Sequence, residues 1–136
     1  MASSYANFIT AFYSKTNVTA VVGSGKLSGI YEGKAPSGTA YPFGVYNLQA
    51  AEPVQYAFTV TPVLEVFYLQ MRVYAENALS AENLLDTWIA TLGNVLTVTG
   101  FTVEWLAKQN RLPVTDQLIS DRYVFGRGTL IKVGMS

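Results

Sequence analysis

The stretch Val63-Leu64-Glu65-Val66-Phe67-Tyr68-Leu69-Gln70-Met71-Arg72-Val73-Tyr74-Ala75-Glu76 runs through Asn77-Ala78-Leu79-Ser80 into Ala81-Glu82-Asn83-Leu84-Leu85-Asp86-Thr87-Trp88-Ile89-Ala90-Thr91-Leu92. Two periodicities meet in it. Up to Glu76 the period is two: Val63, Phe67, Leu69, Met71, Val73 and Ala75 share a face broken only by Glu65. Leu64, Val66, Tyr68, Gln70, Arg72, Tyr74 and Glu76 form the other face, where aromatics mix with polar groups. This predicts a strand longer than most. Beyond it, Ala81, Leu84, Leu85, Trp88, Ile89 and Leu92 recur at helical spacing, with Glu82, Asp86 and Thr87 opposite. Ser80 is the expected N-cap, Glu82 and Asp86 suit the positive end of the helix dipole, and Gly93 is the expected stop. A helix over Ala81–Leu92 therefore covers the strand, with Trp88 at the centre of its apolar stripe against Phe67, Leu69 or Met71.

Outward from this unit, Tyr5, Phe8, Ile9, Phe12 and Thr16 predict an N-terminal helix capped by Ser3 or Ser4. Val18–Val22 continues it as a short turn. From Gly23 to Pro42 the glycines 23, 25, 29, 33 and 38, with Pro36, forbid a regular helix and predict a mobile loop that adds little core. Leu27–Glu32 fits a short strand within it. Phe43–Gln49 and Val54–Val60 read as a hairpin joined by Ala50–Pro53. Val95–Leu106 and Tyr123–Val133 alternate like strands, with Asn110–Ser120 as connector. The order predicts one domain over residues 1–136: an α+β fold, mostly antiparallel, with two main helices packed on one sheet face. The opposite face carries Tyr68, Gln70, Arg72 and Tyr74, a candidate subunit interface.

With Gly29-Ile30-Tyr31-Glu32-Gly33-Lys34-Ala35-Pro36-Ser37-Gly38-Thr39-Ala40-Tyr41-Pro42-Phe43-Gly44-Val45-Tyr46 ahead of it, the strand–helix unit resembles the tail-terminator, or tail-completion, proteins of long-tailed bacteriophages. The likeness covers residues 5–95 and rests on patterns of residue type; the apolar, aromatic Pro53–Pro62 stretch departs from it. The resemblance implies a structural virion protein, not an enzyme, needing no cofactor or metal. Its copies would form a ring, commonly a hexamer, at the head-proximal end of the tail tube. Such a ring stops tube polymerisation and serves head–tail joining. The implied partners are a second copy of the chain, the tail tube protein and a neck or connector protein, with DNA passing through the lumen without sequence recognition. Assembly in the host cytoplasm and a place in the virion tail or neck follow. Within this picture the loop is a candidate docking element through Ser24, Lys26, Tyr31, Glu32, Lys34 and Ser37.

Composition independently points to self-association. A chain of 136 residues buries about 68% of its unfolded surface. Half its residues are apolar but only 13% are charged, against about 25% in an average soluble domain. Apolar surface in such a chain is expected to be hidden in a permanent interface. Net charge is zero but uneven. Residues 1–50 carry Lys15, Lys26 and Lys34 against Glu32 (+2), residues 51–104 six acids against Arg72 (−5), and residues 105–136 five cations against Asp116 and Asp121 (+3). Unlike patches meeting across neighbours is one reading of this; scattered solvated charge is the other. No basic run marks a nucleic-acid footprint. No apolar run is long enough to span a membrane, and Met1-Ala2-Ser3-Ser4 predicts no signal peptide.

The chain has neither Cys nor His, which excludes disulfides, thiol nucleophiles and the commonest general base. Gly23-Ser24-Gly25-Lys26 fails as a P-loop, because Ala20 and Leu27 stand where glycine and a hydroxyl belong; Ser28 breaks the dinucleotide fingerprint. Asp116 and Asp121 are the nearest carboxylate pair, and read more simply as a turn residue and a partner of Arg122 or a neighbour. Glu65, near its strand start, is expected to reach solvent. Three alternatives stay open: another neck or head-completion protein of the same particle, a cellular ligand- or carbohydrate-binding β-rich domain using the aromatics as a stacking face, and, third, an enzyme.

Overall fold

In the computed structural model, residues 4–54, 64–119 and 121–135 are described. Helix α1 spans Ser4–Thr16; strands β1 and β2 span Ile30–Glu32 and Phe43–Val54. The decisive unit follows as β3 (Leu64–Ala75) and α2 (Ala78–Leu92), then β4 (Val103–Arg111), β5 (Thr115–Ile119) and β6 (Arg122–Met135). The fold is α+β with a sheet majority. The sheet runs β1-β2-β3-β6-β4, and β5 pairs with the first half of β6. The sheet is mixed: β1 lies parallel to β2, and the other pairs are antiparallel.

The period-two pattern of β3 places its residues as expected. Phe67, Leu69, Met71, Val73 and Ala75 are buried, and their β6 neighbours Ile131 and Val133 continue the layer. Both helices lie on this face. Phe8 of α1 stacks on Phe67, ring centroids 6.3 Å apart, while Phe12 meets both Tyr46 and Trp88. The helical stripe of α2 holds in phase: Ala81, Leu85, Trp88, Ile89 and Leu92 are buried and Thr87 is exposed. Trp88 reaches further than β3, however, and its ring neighbours are Phe12 on α1 and Tyr46 on β2.

Several expectations need correction. α2 begins a turn earlier than Ala81, and its N-cap is Asn77, whose side-chain oxygen accepts from the Ser80 N–H at 3.1 Å. The extended backbone of Asn77 (φ −138°, ψ 130°) suits a cap, so Ser80 falls inside the first turn. Gly93 ends the helix at φ 67° as expected, its N–H donating to Ile89 at 3.0 Å. Ser4 likewise lies within α1 rather than before it. The expected joint Ala50–Pro53 is not a turn: β2 runs through it to Val54 and pairs with β3, with an irregularity between Gln49 and Glu52. Ser3, residues 55–63 and the side chain of Glu65 lie outside the described residues. β4 starts at Val103, later than the alternation from Val95 predicts, and the supposed connector contains β5. Pro113 occupies the short link between them, where a missing N–H costs no ladder bond.

The glycine-rich loop also supplies core. Leu27 and Ile30 are buried with Val21 among the residues that α1 and α2 cover. Backbone bonds tie it down: Ser28 donates to Pro42 at 2.7 Å, Gly44 to Gly29 at 3.0 Å and Gly33 to Tyr46 at 2.8 Å. Its glycines allow the left-handed turns at Gly25, Gly33 and Gly38, and these let the chain return to the sheet. Among the described residues no helix is long and apolar enough to cross a membrane.

Candidate functional site

Both helices share one face, and among the described residues no helix lies over the other face of β2-β3-β6. Tyr68, Gln70, Arg72 and Tyr74 project there, as their spacing predicts, and all four are half-buried. Register sets their neighbours: Tyr74 lies between Phe43 and Gly126, Arg72 between Val45 and Gly128, Gln70 between Asn47 and Leu130. The two β6 glycines are positions of close approach. A Cβ at Gly126 would stand 3.1 Å from Tyr74 Cε1, and one at Gly128 3.0 Å from Arg72 Cγ and 2.9 Å from Leu112 Cδ1. Their absence lets both long side chains lie along the sheet. The Lys132 ammonium sits 5.9 Å from the Tyr68 ring centroid, within cation–π range.

At one end of this face the aromatics gather. Tyr41 stacks on Phe43 at 5.2 Å and Phe43 meets Tyr74 at 5.5 Å. Across a hollow of about 210 Å³ these three rings face Thr115, Ile119 and Val124 of the β5–β6 hairpin. A second cleft, about 460 Å³, separates Gly23–Ser28 of the loop from Asn77, Ser80 and Leu84 of α2.

The six candidate docking residues are spread over the loop turns and β1. Ser24, Lys34 and Ser37 are exposed on separate turns, and the Lys26 ammonium donates to the Thr19 carbonyl. Tyr31 lies in β1 on the open-face side and folds over Gly29, where a Cβ would meet its hydroxyl. Glu32 ends β1 and exerts its charge on Tyr46. Burial first, then the Glu32 carboxylate, push the Tyr46 phenol up to about 12.

The carboxylates near the C-terminal half act as ion-pair partners. Asp116 lies in β5, not in a turn, and accepts from Arg127 at 2.8 Å; Arg127 also meets Glu82 of α2 at 3.2 Å. Arg122 pairs with Glu76 at 3.5 Å rather than with Asp121. Arg111 reaches Asp86. The exposed pairs contribute little, about 0–1 kcal/mol each. The arginine of the Arg127 pairs is mostly buried, so they clamp α2 more firmly to the β5–β6 hairpin. Among the described residues no group of three or more acids is placed to hold a metal ion.

Residue spacing did not single out the β5–β6 hairpin, which carries exposed Leu118, Ile119 and Tyr123. Its signal was present. Thr115–Ile119 and Arg122–Phe125 flank a two-residue Ser-Asp step, and Asp121 adopts φ 63°. Pro113 and the lack of an Asn-Gly pair masked it. No protein-family model matches the chain, and a search of the curated proteins finds no match.

Proposed function

We propose that this chain is a structural subunit whose copies form a ring at the head-proximal end of a phage tail tube, ending tube polymerisation and serving head–tail joining. The observation that carries the reading is the face of β2-β3-β6 over which no helix lies among the described residues. It is neither the charged surface of a soluble monomer nor a catalytic cleft, but a mixed aromatic and polar layer suited to a permanent interface. The low charge of the whole chain and the resemblance of residues 29–46, with the strand and helix that follow, support it. The mechanism is steric. One side of the ring matches the last tube ring, and the other offers no site for another tube subunit. The tube protein, a neck or connector protein and DNA in the lumen are the proposed partners.

Negative-stain microscopy of the purified protein, and of tails assembled with and without it, tests the reading. Closed rings, and overlong or headless tails in its absence, are the expected results. Tails of normal length without the protein overturn it. The same images separate a terminator from another neck protein, whose loss leaves tail length unchanged.

One observation favours a second reading. The Tyr41–Phe43–Tyr74 row beside its hollow resembles a sugar-stacking platform. Saturable binding of oligosaccharides by calorimetry, lost in Tyr74→Ala, would favour that reading.

A further inference from the structure

The β5–β6 hairpin projects beyond the rest of the sheet. The last residue of β3 pairs with Phe125, so residues 122–124 of β6 pair as strand with β5 alone among the described residues. A two-stranded ribbon is marginal in water by itself. This one exposes apolar surface: Leu118 is 60%, Tyr123 61% and Ile119 44% exposed. Leu118 and Tyr123 are cross-strand partners, and the alternation of β6 puts both on the helix-side face. Among the described residues the outer edge of β5 pairs with nothing, which leaves its backbone groups open to another strand.

The opposite end of the same sheet has a matching character. β1 is the edge strand on the side away from β4 and β5, paired only with β2 among the described residues. On its helix-side face Tyr13 is partly exposed, its ring 6.5 Å from Tyr46, which pairs with Glu32 in the β1–β2 ladder. The charges are complementary as well. At the hairpin Arg122 and Arg127 are already engaged by Glu76, Glu82 and Asp116, whereas Asp121 at the tip has no ion pair among the described residues. On the turn just after β1, Lys34 is exposed and meets no carboxylate among the described residues.

We infer that the β5–β6 hairpin is the arm by which one copy of this chain docks on the β1 edge of the next. The occupant is a second copy: unpaired strand meets unpaired strand, Leu118 and Tyr123 meet the apolar surface at Tyr13, and Asp121 faces Lys34. Because the two surfaces are unlike, the contact is heterologous and repeats from copy to copy, the geometry that a ring requires. The inference rests on the self-assembly in the proposed function and adds to it the surfaces that meet.

The absence of cysteine makes the test direct. Lys34→Cys and Leu118→Cys, placed in one chain and treated with a short bis-maleimide, should link into a ladder beyond the dimer. Each single variant should stay unlinked, and a mixture of the two should give only dimers. In sedimentation, Leu118→Asp with Tyr123→Asp should weaken association by at least ~10-fold. Leu79→Asp with Val95→Asp, at equally exposed positions elsewhere, should leave it unchanged. Cross-linking needs no disruptive change, so it decides the matter even if the double aspartate variant unfolds. An oligomer that shows no ladder overturns the arm while leaving ring formation intact. A wild-type chain that stays monomeric at high concentration also overturns it, and tail length in the absence of the protein still decides the proposed function separately.

Discussion

Gly44 of β2 lies directly under the Trp88 indole: a Cβ built on the glycine would stand 2.8 Å from Trp88 Cζ3 and 3.2 Å from Ile30 Cγ2. No real Cβ approaches a ring so closely, and this ring is walled in by Phe12 and Tyr46. The glycine is therefore the floor of the largest fully buried side chain. Gly44→Ala should destabilise the protein by about 1–3 kcal/mol through overpacking. Trp88→Ala should cost about 3–5 kcal/mol, and Thr87→Ala, on the exposed side of α2, little. Trp88→Phe is informative because the indole Nε1–H is buried with no partner among the described residues. Losing that group recovers part of the cavity cost, so Phe should fall well short of Ala in chemical denaturation.

The start of α2 distinguishes two caps. Asn77→Ala removes the acceptor of the Ser80 N–H and should cost about 1 kcal/mol. Ser80→Ala leaves the cap in place and should be near neutral. Equal shifts in melting temperature for the two variants would contradict the observed boundary.

Within the glycine-rich segment, Leu27 and Ile30 are core residues while Lys34 and Ser37 are not. Replacing all of Ser24–Gly38 by a flexible linker should therefore lower the melting temperature clearly. Leu27→Ala alone should cost about 2–5 kcal/mol. Lys34→Ala and Ser37→Ala should stay within about 0.5 kcal/mol of wild type. If those two variants fold normally yet fail to cap tails, the docking role of the turn is supported; normal capping removes it.

Tyr46 links stability to alkaline pH. Its phenol is raised from 10.0 to about 12 by burial and by Glu32, so the folded state holds the proton more tightly than the unfolded chain. That contribution is fully present below the unfolded pKa of 10.0 and is lost as pH rises through about 12. Stability measured by denaturant should fall across this window, and less steeply in Tyr46→Phe. Ultraviolet titration should show one tyrosine ionising late in the wild type and missing from the variant.

Much of the fold was legible because its causes are local. Alternation along β3 assigns Tyr68, Gln70, Arg72 and Tyr74 to one face whatever lies beside them, and helical spacing assigns Trp88 to the buried stripe of α2. Side-chain direction follows from backbone period alone, and apolar burial makes the choice of face. The two helices on one side of a sheet, and the open face that carries the candidate interface, follow from those patterns. Pairing is a different matter. That β2 continues through Pro53 to pair with β3, that β6 enters between β3 and β4, and that β5 is left at an edge with Leu118 and Tyr123 exposed depend on contacts between residues distant in the chain. No local window contains the partner strand. The need for glycine at position 44 likewise exists only once Trp88, forty-four residues later, has been packed against it.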